Sequence, residues 1–367
     1  MMDRINIFGN PGSPYTKKII SYFRYKNIPY SVTWGDPAAN LKFLEIEAPR
    51  IPLLPTVLIK NKNNEFIAAT DTTPLIREFE ESNPRRSVIP KDPVMKFINY
   101  LIEDYADEWI TKFMFHYRWA YESDIKNAKQ KLVALSNINI QKDQWEQMSE
   151  FVGDRQVSRR WVVGSNDETT PFIESNYKKF LQLMEDHLSN LPFLFGKRPS
   201  SADFAIYGQL EQLIAFEHTS RNIAHDISMR SVAWVEILND LSGLHNKQGS
   251  IFGLAELDTQ TPLNNFNDND EGWLTTKNIP STLVNILNEI GLTYVPYLFA
   301  NAKAVMDGKE TFDVELSSYK WHQQSFKYQA KCLGWIIEEF NKLNLDDKNR
   351  LKAILEGTGC ELLVEGK

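Results

Sequence analysis

Two hydroxyl-bearing residues stand at the start of predicted helices, Ser13 and Thr72. Ser13 precedes Pro14 where an apolar strand pattern ends, and Thr72 follows Asp71 at a later strand-to-helix transition. The free amides of a helix N terminus, together with a hydroxyl beside them, favour an anion such as a thiolate or a carboxylate. Both segments also fit ordinary helix capping, in which Ser, Thr or Asp bonds to the first free amides. The residue types therefore allow anion binding without requiring it.

The number and spacing of the cysteine, histidine and glycine residues disfavour redox, metal and nucleotide chemistry. The two cysteines, Cys332 and Cys360, are too far apart for a Cys-x-x-Cys pair and too few for a disulfide framework or a four-cysteine zinc site. The six histidines include no His-x-x-x-His pair, and no Gly-x-Gly-x-x-Gly or Walker loop occurs. The acidic run 267–272 resembles a calcium loop but lacks the later acidic ligand and the helical flanks. We therefore expect neither a metal nor a nucleotide cofactor.

The charge and hydropathy of the chain argue against two classes of partner, nucleic acids and membranes. The 41 basic and 48 acidic residues give a net charge of −7, spread along 367 residues, so there is no basic stripe to bind nucleic acid. No apolar run approaches the roughly 20 residues that a bilayer span needs, so no membrane partner is expected. Residues 1–5 lead directly into a strand pattern without the features of a signal peptide. These observations predict a cytoplasmic protein.

Apolar periodicity predicts a small α/β unit in residues 1–84. The order is βαβ, connector, ββα, with strands at 5–8, 30–33, 56–59 and 66–69, helices at 15–25 and 73–81, and a short helix or irregular segment at 41–47. Pro84, Pro90 and Pro93 mark a polar linker after it. The linker is the best domain boundary in the sequence.

Residues 94–245 predict a second, all-helical domain. Its helices are expected within 94–114 and at 124–135, 143–152, 172–188, 202–216 and 230–241. Residues 246–272 are interpreted mainly as loop, and helices at 280–305 and 329–343 flank a strand at 311–316. Residues 246–367 thus form a mainly helical C-terminal extension of unknown role, either a separate module or a continuation of the helical domain.

Four motifs fall at matching places in this order of elements. They are Gly12-Ser13-Pro14-Tyr15, Leu53-Leu54-Pro55-Thr56, Thr70-Asp71-Thr72-Thr73 and the Ser200-x-x-Asp203 capping box. Together, over about residues 3–243, they resemble the Ser/Cys-type glutathione transferase superfamily. The resemblance implies a thioredoxin-like α/β N-terminal domain followed by an all-α C-terminal domain. The extension is longer than the ordinary pattern of that superfamily.

The resemblance implies a glutathione site with glutathione as co-substrate. By position in the motifs, Ser13 is the catalytic residue that donates a hydrogen bond to the sulfur, and Tyr15 is the fallback donor. Leu54 and a cis Pro55 contact the cysteinyl backbone. Asp71 binds the α-amino group, and Thr72 binds the γ-glutamyl carboxylate. A hydroxyl donor is chemically apt because the thiolate is the nucleophile. Serine at position 13 argues against a mixed disulfide on the protein.

The first long helix carries the candidate residues for a second substrate. Tyr105, Trp109 and His116 could wall a pocket for a small hydrophobic electrophile, although the same spacing suits a bundle core. The leading hypothesis is a glutathione transferase of the detoxifying kind. A non-catalytic binding or scaffold protein of the same fold is the alternative, and the resemblance favours a homodimer.

Overall fold

The computed structural model describes residues 4–51, 53–244 and 272–365. The predicted loop 246–272 and the calcium-like run 267–272 lie outside these residues, apart from Gly272. The predicted βαβ, connector, ββα order is confirmed in the N-terminal part. Its elements are β1 (Ile5–Gly9), α1 (Pro14–Lys26), β2 (Tyr30–Trp34), α2 (Pro37–Phe43), β3 (Thr56–Lys60), β4 (Phe66–Ala69) and α3 (Thr72–Ser82).

The four strands form one mixed sheet in the order β2-β1-β3-β4. Strand β1 pairs in parallel with β2 and antiparallel with β3, and β3 and β4 form an antiparallel hairpin. The parallel pair needs a crossover, which α1 supplies. This sheet with its helices is the thioredoxin-like fold that the resemblance implies.

Local capping explains where the helices of this domain begin. Ser13, Asp36 and Asp71 each accept a backbone amide through the side chain at the N terminus of α1, α2 and α3. Proline follows the first two caps, where its missing N–H costs nothing. Helix α1 ends at Asn27 in the left-handed region (φ 54°), which asparagine tolerates.

The middle of the chain is helical throughout. Its elements are α4 (Pro93–Tyr105), a π-helical turn (Ala106–Ile110), α5 (Thr111–Ala120), α6 (Glu122–Ser136), α7 (Lys142–Val157), a short 3₁₀ turn (Arg160–Val163), α8 (Thr170–Leu188), α9 (Ser201–Glu211), a second π-helical turn (Gln212–Phe216), α10 (Thr219–Ile227) and α11 (Met229–Leu238). Each predicted helix is present, and α10 is an additional one. The Ser200/Asp203 capping box forms as predicted, with both reciprocal bonds made.

The described part of the extension contains helices α12 (Ser281–Met306), α13 (Lys327–Asn341) and α14 (Leu345–Leu355), a terminal 3₁₀ turn (Cys360–Leu363) and the antiparallel hairpin β5 (Thr311–Leu316) and β6 (Tyr319–Gln324). The helices predicted at 280–305 and 329–343 and the strand at 311–316 are confirmed. Strand β6 and helix α14 were not predicted.

One hydrophobic core joins the three parts of the chain. The same cluster of buried side chains contains Ile7 of the sheet, Tyr105 of the helical domain and Ile336 and Val364 of the extension. Of the two alternatives, a separate module or a continuation of the helical domain, the packing therefore favours the second.

Gly291 lets the end of the chain pack tightly on α12. A Cβ built at Gly291 would lie closer to the Thr358 carbonyl oxygen than van der Waals contact allows, and 2.8 Å from the Cys360 nitrogen. Both are backbone atoms and cannot rotate aside. The close approach therefore depends on the absence of a side chain at this position.

Gly291→Ala is expected to lower the free energy of unfolding by about 1 to 3 kcal/mol, the usual cost of overpacking. Gly334→Ala in α13 is the matched control, because a Cβ there meets nothing within 4 Å. It should leave stability unchanged or raise it by up to about 1 kcal/mol. Urea unfolding followed by circular dichroism measures both, and equal effects would contradict this view of Gly291.

Candidate functional site

A cavity of about 810 Å³ lies between the N terminus of α3, the polar face of α4 and α5, and helix α13 of the extension. Its volume falls within the roughly 300 to 1,000 Å³ typical of small-molecule sites. Leu54, Pro55, Asp71 and Thr72 all line it, so four of the residues with predicted glutathione contacts share one cavity.

The N terminus of α3 gives the cavity an acid beside free helical amides. Asp71 has a φ of 75° and caps the helix, with its Oδ1 accepting from the Thr73 amide at 3.2 Å. Thr72 is the first residue of α3 and is 3% exposed. The pair can hold a positive group at the carboxylate and a negative group at the helix terminus.

The segment before β3 runs along the same cavity. The Leu54–Pro55 peptide bond is cis, and the Thr56 hydroxyl donates to the Leu53 carbonyl at 2.9 Å. Leu53, Leu54 and Pro55 all line the cavity wall. They bring main-chain atoms and apolar side chains to it.

Ser13 is placed elsewhere. The Ser13 Oγ accepts a hydrogen bond from the Thr16 amide at 3.3 Å. Ser13 is 9% exposed and is not among the residues that line the cavity. The loop before it is covered by the helical domain. The Arg118 guanidinium donates to the Gly12 carbonyl at 2.7 Å, and Leu132 packs so closely on Gly12 that a Cβ there would overlap it. Helices α5 and α6 thus cover Gly12, the residue directly before Ser13.

Tyr15 does line the cavity, but its hydroxyl is engaged. It donates to the Asp107 carbonyl oxygen at 2.7 Å. Burial, with the negative charges of Glu108 and Asp107, raises the pKa of the Tyr15 phenol well above its usual value, so it remains a donor. Contact with a ligand sulfur would require this bond to be exchanged.

A row of ionisable residues from the end of α4 to the start of α5 forms the cavity wall next to the N terminus of α3. Asp104, Asp107, Glu108 and Lys112 recur at helical spacing across the π-helical turn, and all line the cavity. Sequence reasoning did not select them. Charged residues at intervals of three and four within an otherwise apolar helix were the available signal.

Burial changes the pKa values along this row. It raises the pKa of Asp104 to about 7 and that of Glu108 to about 8, and that of Asp107 to about 6 although Lys18 opposes the shift. It lowers the pKa of Lys112 to about 7, against the charge of Glu108. The wall therefore carries less negative charge at neutral pH than its composition suggests.

Lys112 is held among aromatic rings from the extension and the helical domain. Its Nζ donates to the Tyr297 hydroxyl and to Gln323 Oε1, both at 3.2 Å. It also lies 4.3 Å from the Tyr297 ring centre and 5.6 Å from that of Trp321. Such contacts fix the position of the Lys112 side chain.

The three residues predicted for a second substrate lie in the core. Tyr105 and His116 are fully buried and Trp109 is 1% exposed, and none of them lines the cavity. Trp109 donates to Asn176 Oδ1 at 2.8 Å, and His116 Nδ1 lies 2.8 Å from Ser165 Oγ. Their helical face packs against α8, so the bundle-core alternative describes their surroundings.

Among the described residues, no group of three or more His, Cys, Asp or Glu side chains is arranged to hold a metal ion. No helix in the described ranges is long and apolar enough to cross a membrane.

Comparison with known proteins adds a family match. Residues 154–228 match the family model described as the glutathione S-transferase C-terminal domain. Among curated proteins, no sequence matches this chain. The matched segment covers α8, α9 and α10, which include the Ser200/Asp203 capping box.

Several solved structures are similar at low identity. A glutathione transferase family member from Pseudomonas fluorescens with two glutathione bound is 12% identical and covers 64% of this chain and 86% of its own, with a TM-score of 0.40. A glutathione transferase from Pseudomonas putida with glutathione disulfide bound is 12% identical, with coverages of 67% and 88% and a TM-score of 0.39. A GST-like protein from Pseudomonas syringae is 15% identical, with coverages of 71% and 78% and a TM-score of 0.39.

The family match is thus confined to part of the helical domain, residues 154–228, which are similar to the glutathione S-transferase C-terminal domain. This segment follows an N-terminal domain of thioredoxin-like fold. The C-terminal extension, α12 to α14 with the β5–β6 hairpin, is fused to both domains through the shared core.

Proposed function

We propose that this protein is a glutathione transferase-type enzyme that binds glutathione in the cavity and presents its sulfur to a small hydrophobic electrophile. One observation carries the proposal, which is that Asp71, Thr72, Leu54 and Pro55 line a single cavity. These are the residues to which the superfamily motifs assign the γ-glutamyl and cysteinyl parts of glutathione. Residues 17 positions apart in the sequence are thus available to one ligand.

The chemistry of the α3 N terminus suits the γ-glutamyl end. That end carries an ammonium and a carboxylate on one carbon atom. Asp71 offers a carboxylate to the ammonium, and the helix N terminus at Thr72 offers amides and a hydroxyl to the carboxylate. The Asp71 carboxylate and the partial positive charge of the adjacent helix N terminus therefore match a zwitterion.

The rest of the cavity leaves room for a second molecule. Its volume of about 810 Å³ is toward the upper part of the range for ligand sites, more than a tripeptide alone requires. Leu53, Val162, Val163 and Trp335 give it apolar walls. We assign the electrophile to this region, in place of Tyr105, Trp109 and His116.

A non-catalytic glutathione-binding protein is the second candidate. The burial of Ser13 outside the cavity lining and the engaged hydroxyl of Tyr15 favour it, because neither donor is free toward the cavity. A cytoplasmic location, detoxification and homodimerisation stay predictions for either candidate.

Calorimetric titration of glutathione tests the binding part. The native chain should bind saturably, and Thr72→Val should bind about tenfold more weakly, because a hydrogen bond to a charged group is lost. Thr311→Val is the matched control. It removes an exposed hydroxyl on β5, outside the residues that line the cavity, and should bind like the native chain. Absence of binding by the native chain would refute the proposal.

Formation of the glutathione thiolate in the bound state distinguishes the enzyme from the non-catalytic protein. An enzyme should show the ultraviolet absorbance of bound thiolate and turn over an activated aryl chloride, with both signals reduced in Ser13→Ala if Ser13 is the donor. Binding without thiolate absorbance or turnover would establish the non-catalytic candidate. Turnover unaffected by Ser13→Ala would move the donor role to another cavity residue.

A further inference from the structure

We propose that the C-terminal extension is part of the ligand site, with Tyr328 as the positioning residue that aims the Asp71 carboxylate at a ligand ammonium. The inference rests on the proposed binding of glutathione and gives the extension a role in it. Tyr328, Trp335 and Lys342 line the cavity at intervals of seven residues, so one side of this segment faces the ligand space over four turns.

This wall is firmly attached. Gln329 donates through Nε2 to Glu108 Oε2 at 2.9 Å and accepts a hydrogen bond from the Tyr297 hydroxyl. Asn301 binds both backbone groups of Phe326, donating to its carbonyl at 3.0 Å and accepting its amide at 2.7 Å. The start of α13 is therefore fixed on both sides of Tyr328.

The contact with the glutathione motif is direct. The Tyr328 hydroxyl donates to Asp71 Oδ2 at 2.6 Å, across 257 residues of sequence. The other oxygen, Oδ1, accepts the Thr73 amide. Both oxygens are thus held, and the plane of the carboxylate is set by one bond from α3 and one from the extension.

The held carboxylate can still accept a ligand. An ionised carboxylate has about four acceptor positions, and these two bonds use two of them. Asp71 remains partly exposed and lines the cavity with Tyr328 in place. In the part of the chain that the structure describes, no Lys or Arg forms an ion pair with Asp71, so its charge is available to an ammonium.

Because Tyr328 positions only the carboxylate of Asp71, removing its hydroxyl should weaken only the binding of the ligand's ammonium group. A carboxylate already fixed by Tyr328 loses little freedom when the ligand binds, whereas a free one must be ordered at that moment. Tyr328→Phe keeps the ring and removes only the hydroxyl. It should weaken the binding of glutathione and leave a ligand without the amino group unaffected.

Calorimetry with two ligands tests this inference. We expect Tyr328→Phe to weaken glutathione binding by about tenfold and to change the affinity for glutaryl-cysteinyl-glycine, which lacks the amino group, less than about twofold. Tyr294→Phe is the matched control, because Tyr294 also donates from the extension to an aspartate, Asp104 Oδ2 at 2.5 Å, away from Asp71. It should bind both ligands like the native chain.

Three results would overturn the inference. They are equal affinity of Tyr328→Phe and the native chain for glutathione, equal losses for the two ligands, or the same loss in Tyr294→Phe, which would indicate general loosening of the extension. Failure of the native chain to bind glutathione would refute the proposed function as well. Glutathione binding with no effect of Tyr328→Phe would refute this inference alone.

Discussion

Lys18→Met is expected to lower the free energy of unfolding by about 3 to 5 kcal/mol, because removing one partner leaves buried charges uncompensated. The Lys18 side chain is 1% exposed and its Nζ donates to Glu103 Oε1 at 2.9 Å and to Asp107 Oδ2 at 2.6 Å. A third bond, at 3.0 Å, reaches Thr73 Oγ1. Methionine preserves most of the side-chain length and none of these bonds.

The pKa values show that opposite charges outweigh the effect of burial at Lys18 and at Glu103 in this network of Lys18, Glu103, Asp107 and Thr73. Burial alone would lower the pKa of Lys18, but Asp107 and Glu103 outweigh it and raise the value. Burial would likewise raise the pKa of Glu103, but Lys18 and Arg77 hold it at about 2. Lys18 is therefore the first of the two cations, with Arg77, on which the ionised form of Glu103 depends.

Urea unfolding at neutral pH measures the loss, with Lys17→Met as control. Lys17 pairs with Glu211 at 2.7 Å, but its side chain is 23% exposed, so its removal should cost at most about 1 kcal/mol. The double variant Lys18→Met/Glu103→Gln should regain part of the stability, since one uncompensated charge is removed. Similar midpoints for Lys17→Met and Lys18→Met would contradict the assigned role of the network.

The network also concerns the ligand site. Thr73 directly follows Thr72, so its bond to Lys18 fixes the first turn of α3 against α1 and α4. Lys18→Met should consequently weaken glutathione binding in addition to lowering stability. The cavity therefore owes part of its geometry to a buried ion-pair cluster, of which Thr73 and Asp107 line it.

The predictable parts of the structure depend on neighbours in sequence. The caps at Ser13 and Asp71 and the Ser200/Asp203 box follow from bonds between residues two or three positions apart, and each forms as a cap. The order of strands and helices along residues 1–84 follows similarly from apolar periodicity and short connections. Local rules are sufficient for such features.

The missed parts depend on distant neighbours. Helical spacing is the same for a core face and a pocket wall, so it could not separate Trp109 from Glu108. The bond between Tyr328 and Asp71 joins segments far apart in sequence, and nothing local signals it. Strand β6 had only a short sequence signal, the alternation of Tyr319 and Trp321 with polar residues, because its second buried position is the polar Gln323.

The row of ionisable residues that lines the cavity, Asp104, Asp107, Glu108 and Lys112, gives a second large effect, on the pH dependence of stability. Relative to the native chain, Glu108→Gln should gain about 4 kcal/mol in free energy of unfolding as the pH rises from 5 to 8.5. Burial raises the pKa of Glu108 to about 8 in the folded chain, far above its value of roughly 4.5 when unfolded. Folding thus favours the protonated carboxyl.

The sign follows from this difference. Glu108 contributes its full stability below the unfolded pKa, and that contribution is lost as the pH rises through about 8, because the unfolded chain has already released its proton. Glutamine cannot ionise, and its oxygen can still accept the bond from Gln329. Asp104, Asp107 and Lys112, which share the wall, are present in both chains, so the comparison largely cancels their titration.

Urea midpoints at half-unit pH steps measure the difference. Glu338→Gln is the matched control, since Glu338 lies at the cavity rim on α13 and its side chain is exposed to solvent. Its curve should run parallel to that of the native chain. If Glu108→Gln also runs parallel, the carboxyl is ionised in the folded chain at neutral pH. The wall would then face a bound glutathione sulfur with a negative charge, which opposes a thiolate and favours the non-catalytic candidate.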